Sequence, residues 1–104
     1  MQFNVYRNPS LRMREQYPFV VDVQSDLVGS LATRMVVPLA ITQLASSDVP
    51  RCLCPVFQVQ GLQLMLLPFE AAPMPKTLLK TDVQTLKRFA SEIVAAMDAV
   101  MGGI

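Results

Sequence analysis

The sequence predicts an α+β domain that is mainly β, with an antiparallel sheet or small barrel and one C-terminal helix. Three observations predict this class. Segments of alternating polarity recur near the start of the chain, a Gln-Gly pair separates two apolar segments, and the end of the chain repeats apolar residues at helical spacing. Strands that follow one another through short turns favour antiparallel pairing. The length of 104 residues predicts a single domain over residues 1–104.

The first two strands are predicted from their alternation. Residues 2–6 alternate polar and apolar side chains, which is typical of a half-buried strand, and Asn8-Pro9-Ser10 ends it. Residues 11–18 carry most of the early charge and are predicted to form a loop or irregular hairpin arm. The second strand is predicted over Phe19–Ser25, with odd-numbered residues on one face and even-numbered residues on the other.

The middle of the chain predicts two further strands and a turn. Gly29-Ser30 indicates a turn before a strand over Arg34–Leu39. This strand is apolar on both faces, as in a central or interface strand. Pro38 places its end, an edge or a bulge there. Residues 41–50 are predicted to contain one short helical turn around Ile41–Ala45.

A hairpin and a helix complete the prediction. Val56–Val59 and Leu62–Leu67 flank Gln60-Gly61, where glycine supplies the turn conformation. The prolines of residues 68–75 exclude regular helix from that segment. The helix is predicted to begin at a cap formed by Thr81 or Asp82 and to end at Gly102-Gly103. Its apolar stripe is Val83, Leu86, Ala90, Ile93, Met97 and Val100.

The composition predicts an oligomer, and the lack of a recognisable targeting segment predicts a cytoplasmic protein. Hydrophobic residues make up 52% of the chain and charged residues only 16%, which is more apolar surface than a small domain can bury alone. We therefore expect a homodimer. The net charge of +1 argues against direct nucleic-acid binding, and a basic bias from Arg7, Arg12, Arg14 and Arg34 is interpreted as a solvated loop. No signal peptide or membrane segment is predicted.

The residue types offer little chemistry. The chain has no histidine, no glycine-rich phosphate loop and no nucleophile with an evident base, so no catalytic residue, cofactor or metal is predicted. Cys52 and Cys54 are too close for an unstrained disulfide in a strand and are expected to be reduced and partly buried. Asp22 and Asp26 would share a strand face; they are interpreted as a surface carboxylate and an Asp that ends a strand or caps a turn.

Four strings in the sequence carry a resemblance to a known family. They are Val20-Val21-Asp22-Val23-Gln24-Ser25-Asp26-Leu27, Thr33-Arg34-Met35-Val36-Val37-Pro38-Leu39, the start Met1-Gln2-Phe3-Asn4-Val5-Tyr6 and the end Gly103-Ile104. With these strings the chain resembles the CcdB family of toxins from plasmid-type toxin–antitoxin modules, over nearly its whole length.

The resemblance implies a fold, partners and an activity. The implied fold is a curved antiparallel sheet related to the SH3-like barrel toxins of the CcdB, MazF and Kid kind, with a small side sheet and a C-terminal helix. The implied assembly is a homodimer. CcdB-like proteins are not enzymes: they bind the A subunit of DNA gyrase and trap it on cleaved DNA. A cognate CcdA-like antitoxin neutralises them through a disordered tail that folds on binding.

The resemblance also implies a gyrase-binding site in two parts. The matching positions are Ser25, Leu27 and Val28 after the second strand, and Met101, Gly102, Gly103 and Ile104 at the end of the helix. Gly102 departs from the best-known family pattern, which has tryptophan there, and Met101 replaces a phenylalanine. Tryptophan is a frequent binding anchor, so this departure weakens the expected gyrase contact at its most sensitive position.

Two other functions stay open at this point. The same barrel serves RNA-cleaving toxins, and an endoribonuclease would need Arg34 together with Asp22 or Asp26 in one groove. The other is a relative that has lost gyrase poisoning and only dimerises or binds an antitoxin, which the glycine at position 102 favours.

Overall fold

The computed structural model describes residues 1–28, 31–41 and 53–102. These residues form seven strands and one α-helix. The strands are β1 Asn4–Arg7, β2 Phe19–Asp22, β3 Thr33–Ile41, β4 Val56–Val59, β5 Leu62–Leu66, β6 Ala72–Pro75 and β7 Asp82–Thr85, and the helix is α1 Ala90–Met101. Short 3-10 turns cover Asp26–Val28, Pro68–Glu70, Lys76–Leu78 and Lys87–Phe89. The predicted strand-then-helix order is confirmed.

All pairings in the sheet are antiparallel, in the order β4-β5-β3-β2-β1-β7. The sheet curls into a half-barrel, and β6 lies off this path as a side strand on β3. Its two edge strands approach each other, since the side-chain amide of Gln84 in β7 donates to the carbonyl of Gln58 in β4 at 2.9 Å. The predicted class, mainly β with one C-terminal helix, is confirmed.

The longest strand, β3, is the centre of the sheet, as its apolar residues predict. One side of it pairs with β2, and the other side pairs first with β6, through Thr33–Val36, and then with β5, through Leu39–Ile41. Pro38 lies inside β3 where this second neighbour changes, so its missing N–H removes no pairing on that side. Its carbonyl accepts the amide of Leu67 at 3.1 Å. The proline therefore marks a change of partner rather than the end of the strand.

The β4–β5 hairpin turns where the sequence predicts. Gln60 and Gly61 have φ values of 52° and 81°, so both central residues are left-handed, as in a type I′ turn. The following segment is not helical, as predicted, but it contains a strand that the prolines concealed. Pro73 and Pro75 lie in β6, a side strand that pairs with β3 only.

The core fills the concave side of the curled sheet under the helix. Alternation in β2 sends Phe19 and Val21 into the main cluster, while Val20 packs with Tyr6 and Val36 in a second, smaller cluster. The helix contributes Ile93 and Ala96, both fully buried. The alternation that the sequence predicts for the second strand is thus confirmed over Phe19–Asp22.

The predicted start of the helix is wrong. Thr81 and Asp82 do not cap it, because Asp82–Thr85 forms β7 and pairs with β1. A 3-10 turn follows, and α1 begins only at Ala90. Val83 fits the apolar spacing of the helix only by coincidence. Its segment forms a strand because it pairs with β1, some eighty residues away in sequence, and this pairing outweighs the local helical pattern. The predicted end is confirmed at Gly102, whose φ of 137° terminates α1.

Several predictions lie outside the described residues. They concern the turn at Gly29-Ser30, Cys52 and most of the helical turn predicted around Ile41–Ala45. The one described residue of that turn, Ile41, is the last residue of β3 and not helical. Cys54 is fully buried. None of the described helices has the length and apolar character needed to cross a membrane.

Candidate functional site

A buried ion pair lies beside the loop that follows β2. Asp22 is the last residue of β2 and is fully buried, and Arg34 reaches it from the adjacent strand β3. The guanidinium donates from Nε to Oδ2 at 2.8 Å and from Nη2 to Oδ1 at 3.1 Å. This bidentate geometry is the strongest form of a carboxylate–guanidinium contact. The ion pair thus joins the ends of β2 and β3.

The same guanidinium holds the loop after β2. Its Nη2 also donates to the carbonyl of Gln24 at 3.0 Å and to Oδ1 of Asp26 at 3.1 Å. Asp26 accepts a further bond, from the backbone N–H of Gln2 at 3.1 Å. The Gln2 N–H and, secondly, Arg34 lower the pKa of Asp26 below its usual value. The first part of the loop, at Gln24 and Asp26, is therefore fixed by charge-assisted hydrogen bonds.

Tyr6 and the amino group of Met1 complete this polar cluster. The Met1 ammonium donates to Oη of Tyr6 and to Oδ2 of Asp22, both at 3.3 Å. Burial and the charge of Asp22 raise the pKa of Tyr6, so the phenol stays neutral. Every buried side-chain polar atom among the described residues has a hydrogen-bond partner. The cluster is therefore fully satisfied without an added ligand.

This geometry corrects two interpretations drawn from the sequence. Asp22 is not a surface carboxylate, because its side chain is only 1% exposed. Arg34, the proposed phosphate-binding residue of an endoribonuclease, is 7% exposed at its side chain and is engaged by two carboxylates and a carbonyl. A phosphate would have to displace Asp22 from a buried ion pair, at a high cost in free energy. The arrangement is suited to holding a loop, not to cleaving RNA.

The first part of the predicted gyrase site projects from this held loop. The hydroxyl of Ser25 accepts the backbone N–H of Leu27 at 3.2 Å, and a 3-10 turn from Asp26 to Val28 follows. The side chain of Leu27 is 96% exposed. A fully exposed leucine contributes almost nothing to the core, although the turn that carries it is firmly anchored.

The second part of the predicted site lies at the end of α1. The side chain of Met101 is 78% exposed, and the N–H of Gly102 donates to the carbonyl of Asp98 to close the last turn. Among the described residues, and apart from its chain neighbours and the backbone of α1, no atom lies within 4 Å of the position that a Cβ would take on Gly102. Gly103 and Ile104 lie outside the described residues. The two parts of the predicted site therefore lie on separate elements, a loop and a helix end.

The sequence prediction missed the role of Arg34 as an anchor. A signal for it was present, because an arginine inside a strand that is apolar on both faces must be buried, and a buried charge needs a partner. Asp22 and Asp26 were the available carboxylates nearby. The predicted shared strand face is wrong, because β2 ends at Asp22 and Asp26 lies in the following 3-10 turn, yet both carboxylates bind Arg34.

Comparison with known protein families identifies the family to which this fold and sequence correspond. The model of the family described as CcdB protein matches residues 2–103 of this chain, which is nearly its full length.

Proposed function

We propose, from the premise that the chain belongs to the CcdB family, that it docks on the gyrase A subunit through Leu27 and the end of α1. Proteins of this family are toxins of ccd toxin–antitoxin systems; they poison DNA gyrase and are not enzymes. Membership implies two partners, the gyrase A subunit and a CcdA antitoxin. The chain's own contribution is then binding, and gyrase itself performs the DNA cleavage.

The observation that carries this proposal is the exposure of Leu27 on an anchored turn. Exposed apolar side chains are common on proteins, so exposure alone indicates little. Here the turn is fixed by Arg34 through Asp26 and the carbonyl of Gln24. A turn whose backbone is already held in place loses little backbone conformational entropy on binding, which favours affinity. Ser25 supports the same turn by accepting the N–H of Leu27.

The helix end is the second proposed contact. Met101 offers a flexible apolar side chain that adapts to an uneven surface. Gly102 offers no side chain where the family pattern has tryptophan, so the loss of an aromatic anchor reduces affinity at this point. We assign Val28, Gly103 and Ile104 to the same binding surface on the family pattern. A relative that has lost poisoning is the second candidate function, and Gly102 is the residue that favours it.

We also propose that the chain forms a homodimer. Several large apolar side chains at least about half exposed support this, because a dimer interface covers such surface. They are Leu31, Leu62, Phe69, Leu78 and Val94. Phe69 lies in the 3-10 turn Pro68–Glu70 and Val94 lies in α1, and these two elements pack against each other. The surface that they form together is therefore the proposed dimer interface. Sedimentation or light scattering at several concentrations would measure the oligomeric state.

The experiment that tests the proposal measures linear DNA. Purified protein is incubated with gyrase, ATP and supercoiled plasmid, and detergent and protease then release any trapped DNA breaks. We expect linear DNA with the wild-type chain and a large loss with Leu27→Ser or Met101→Ala. Leu11→Ser is the matched control, since Leu11 is 77% exposed but lies in another loop.

The result that would refute the proposal is a correctly folded chain that yields no linear DNA with gyrase of its native host. Binding of a CcdA-like antitoxin by such a chain would identify the relative that has lost gyrase poisoning and only dimerises or binds an antitoxin. Linear DNA that is unaffected by both substitutions would instead place the gyrase contact elsewhere on the chain.

A further inference from the structure

Met101 is the most exposed of the seven methionines in the chain, all of which lie among the described residues. Its side chain is 78% exposed and that of Met1 is 71% exposed. Exposure is 43% or less in the other five, which are Met13, Met35, Met65, Met74 and Met97. An oxidant dissolved in water reaches a sulfur atom only where solvent does, so Met101 is among the first thioethers that it meets.

The neighbours of Met101 leave its sulfur atom uncovered. A long side chain on a helix lies over the turn that precedes it, which here contains Met97 and Asp98. Met97 packs against the core, and Asp98 is exposed. On the other side of Met101, Gly102 supplies no side chain at all. The thioether at the end of α1 is therefore open to solvent and to small solutes.

Oxidation of this side chain would place a polar group where the proposed gyrase contact is apolar. A sulfoxide oxygen is a hydrogen-bond acceptor, and burial without a donor is unfavourable. Among the described residues, the last turn of α1 has no basic side chain, and the carboxylate of Asp98 only accepts hydrogen bonds. The helix end thus offers the oxygen no side-chain donor, so a partner that covers it removes its water at a cost in affinity.

The same change leaves the core intact, because Met101 belongs to neither of the two core clusters of described residues. The helix is held instead by Ile93 and Ala96, which are fully buried. A sulfoxide at buried Met65 in β5 would disrupt the core, but that side chain is only 7% exposed. Oxidation at the helix end therefore changes the binding surface without unfolding the protein.

We propose that Met101 is a reversible oxidation site, at which hydrogen peroxide converts the thioether into a sulfoxide and thereby weakens binding to the gyrase A subunit. A lone pair of Sδ forms the S–O bond while the O–O bond of the peroxide breaks, and the departing hydroxide takes the remaining peroxide proton to leave as water. The sulfur loses two electrons, which the peroxide gains. A methionine sulfoxide reductase with a dithiol reverses the step, giving the thioether, water and a disulfide. The effect on gyrase rests on the proposed gyrase contact of Met101, whereas the oxidation itself does not.

Peptide mapping by mass spectrometry tests the oxidation. The full chain is treated with hydrogen peroxide for increasing times, and the sulfoxide is measured at each methionine. We expect Met101 to be oxidised well before Met65, Met74 and Met97, because these three are buried or partly buried. Urea unfolding of the treated chain should show an unchanged midpoint. Oxidation of Met101 no faster than that of Met65 in the folded chain would refute the site.

The linear-DNA assay tests the consequence for gyrase. Catalase removes the peroxide before gyrase is added, so that only this chain is oxidised. We expect about tenfold less linear DNA from the treated chain, the loss typical of one strong interface contact, and recovery after reductase treatment. Each variant is compared with its own untreated sample. Met101→Leu should lose the response to peroxide, whereas Met13→Leu, in the loop between β1 and β2, retains Met101 and should keep it.

Two results of this assay would overturn the proposal. They are an undiminished yield from the oxidised chain and an equal drop with Met101→Leu, which would assign the effect to another methionine such as Met1. An untreated chain that yields no linear DNA refutes the gyrase contact instead. In that case the order of oxidation measured by mass spectrometry still decides whether Met101 is the oxidation site.

Discussion

Arg34 and Asp22 form a bidentate ion pair in which neither side chain is more than 7% exposed. It joins β2 to β3 and, through Asp26, fixes the loop that carries Leu27. A buried ion pair adds little net stability compared with a well-packed apolar pair, but loss of one partner leaves an uncompensated charge. Its role here is therefore to specify the position of the loop.

Removal of Arg34 is expected to destabilise the fold strongly. Arg34→Met leaves Asp22 buried and unpaired by a guanidinium, and the free energy of unfolding falls by about 3–5 kcal/mol. Urea unfolding at fixed protein concentration measures this. The exposed Arg12→Gln is the control and changes stability by less than about 0.5 kcal/mol. A wild-type midpoint for Arg34→Met would contradict the assigned role of the pair.

Asp26 makes stability sensitive to acid. Its folded-state pKa lies below the ordinary value of 3.8, because the Gln2 N–H and Arg34 bind the charged form. The contribution is therefore present above pH 3.8 and is lost as the pH falls below it. Asp26→Asn is expected to flatten the decline in unfolding free energy in that acidic range. Glu15→Gln, in an exposed loop, should leave the decline unchanged; identical curves for all three chains would refute this assignment.

A side chain at position 102 is expected to lower stability but to strengthen the proposed gyrase contact. Its φ of 137° disfavours any side chain, although the space around it is open. Gly102→Trp is expected to cost about 1 kcal/mol of stability through strain and to increase the yield of linear DNA by restoring an aromatic anchor. Gly61→Ala, also at positive φ and in open space, is the control for strain. It should lower stability without changing linear DNA; an unchanged yield with Gly102→Trp would argue against the helix end as a contact.

Asn8 is expected to hold the loop between β1 and β2. It is 6% exposed, and its side chain bonds to Tyr17 and Ser10. Asn8→Ala leaves these buried groups unsatisfied and lowers stability by about 1–3 kcal/mol. Hydrogen exchange should accelerate over residues 10–17, while the exposed Gln63→Ala in β5 has no such effect. Unchanged exchange in that loop would show that other contacts hold it.

Local patterns predicted the elements whose cause is local. The β4–β5 hairpin follows from Gln60-Gly61, and the end of α1 follows from Gly102, since both depend on backbone conformations that these residues permit. The alternation of β2 likewise follows from its own side chains.

Elements that depend on distant pairing were missed. Nothing near Asp82 indicates β7, because β1 supplies its hydrogen bonds. Proline is disfavoured in a strand that pairs on both sides, so Pro73 and Pro75 argued against a strand. They are tolerated in β6 because it pairs with β3 only, which the sequence does not indicate. For the site, the endoribonuclease hypothesis named Arg34 together with Asp22 or Asp26, but their ion pairs and their burial depend on the pairing of β2 with β3.

The β1–β7 pairing also determines when the sheet can be completed as the chain is synthesised. Asn4 pairs with Thr85, so the edge of β1 stays uncovered during synthesis until β7 has also been made. Contacts of such long sequence separation slow folding. A nascent or truncated chain that ends before β7 exposes the edge of β1, an open template for pairing with other chains. Interrupted translation of this protein therefore yields fragments prone to aggregate rather than shorter active ones.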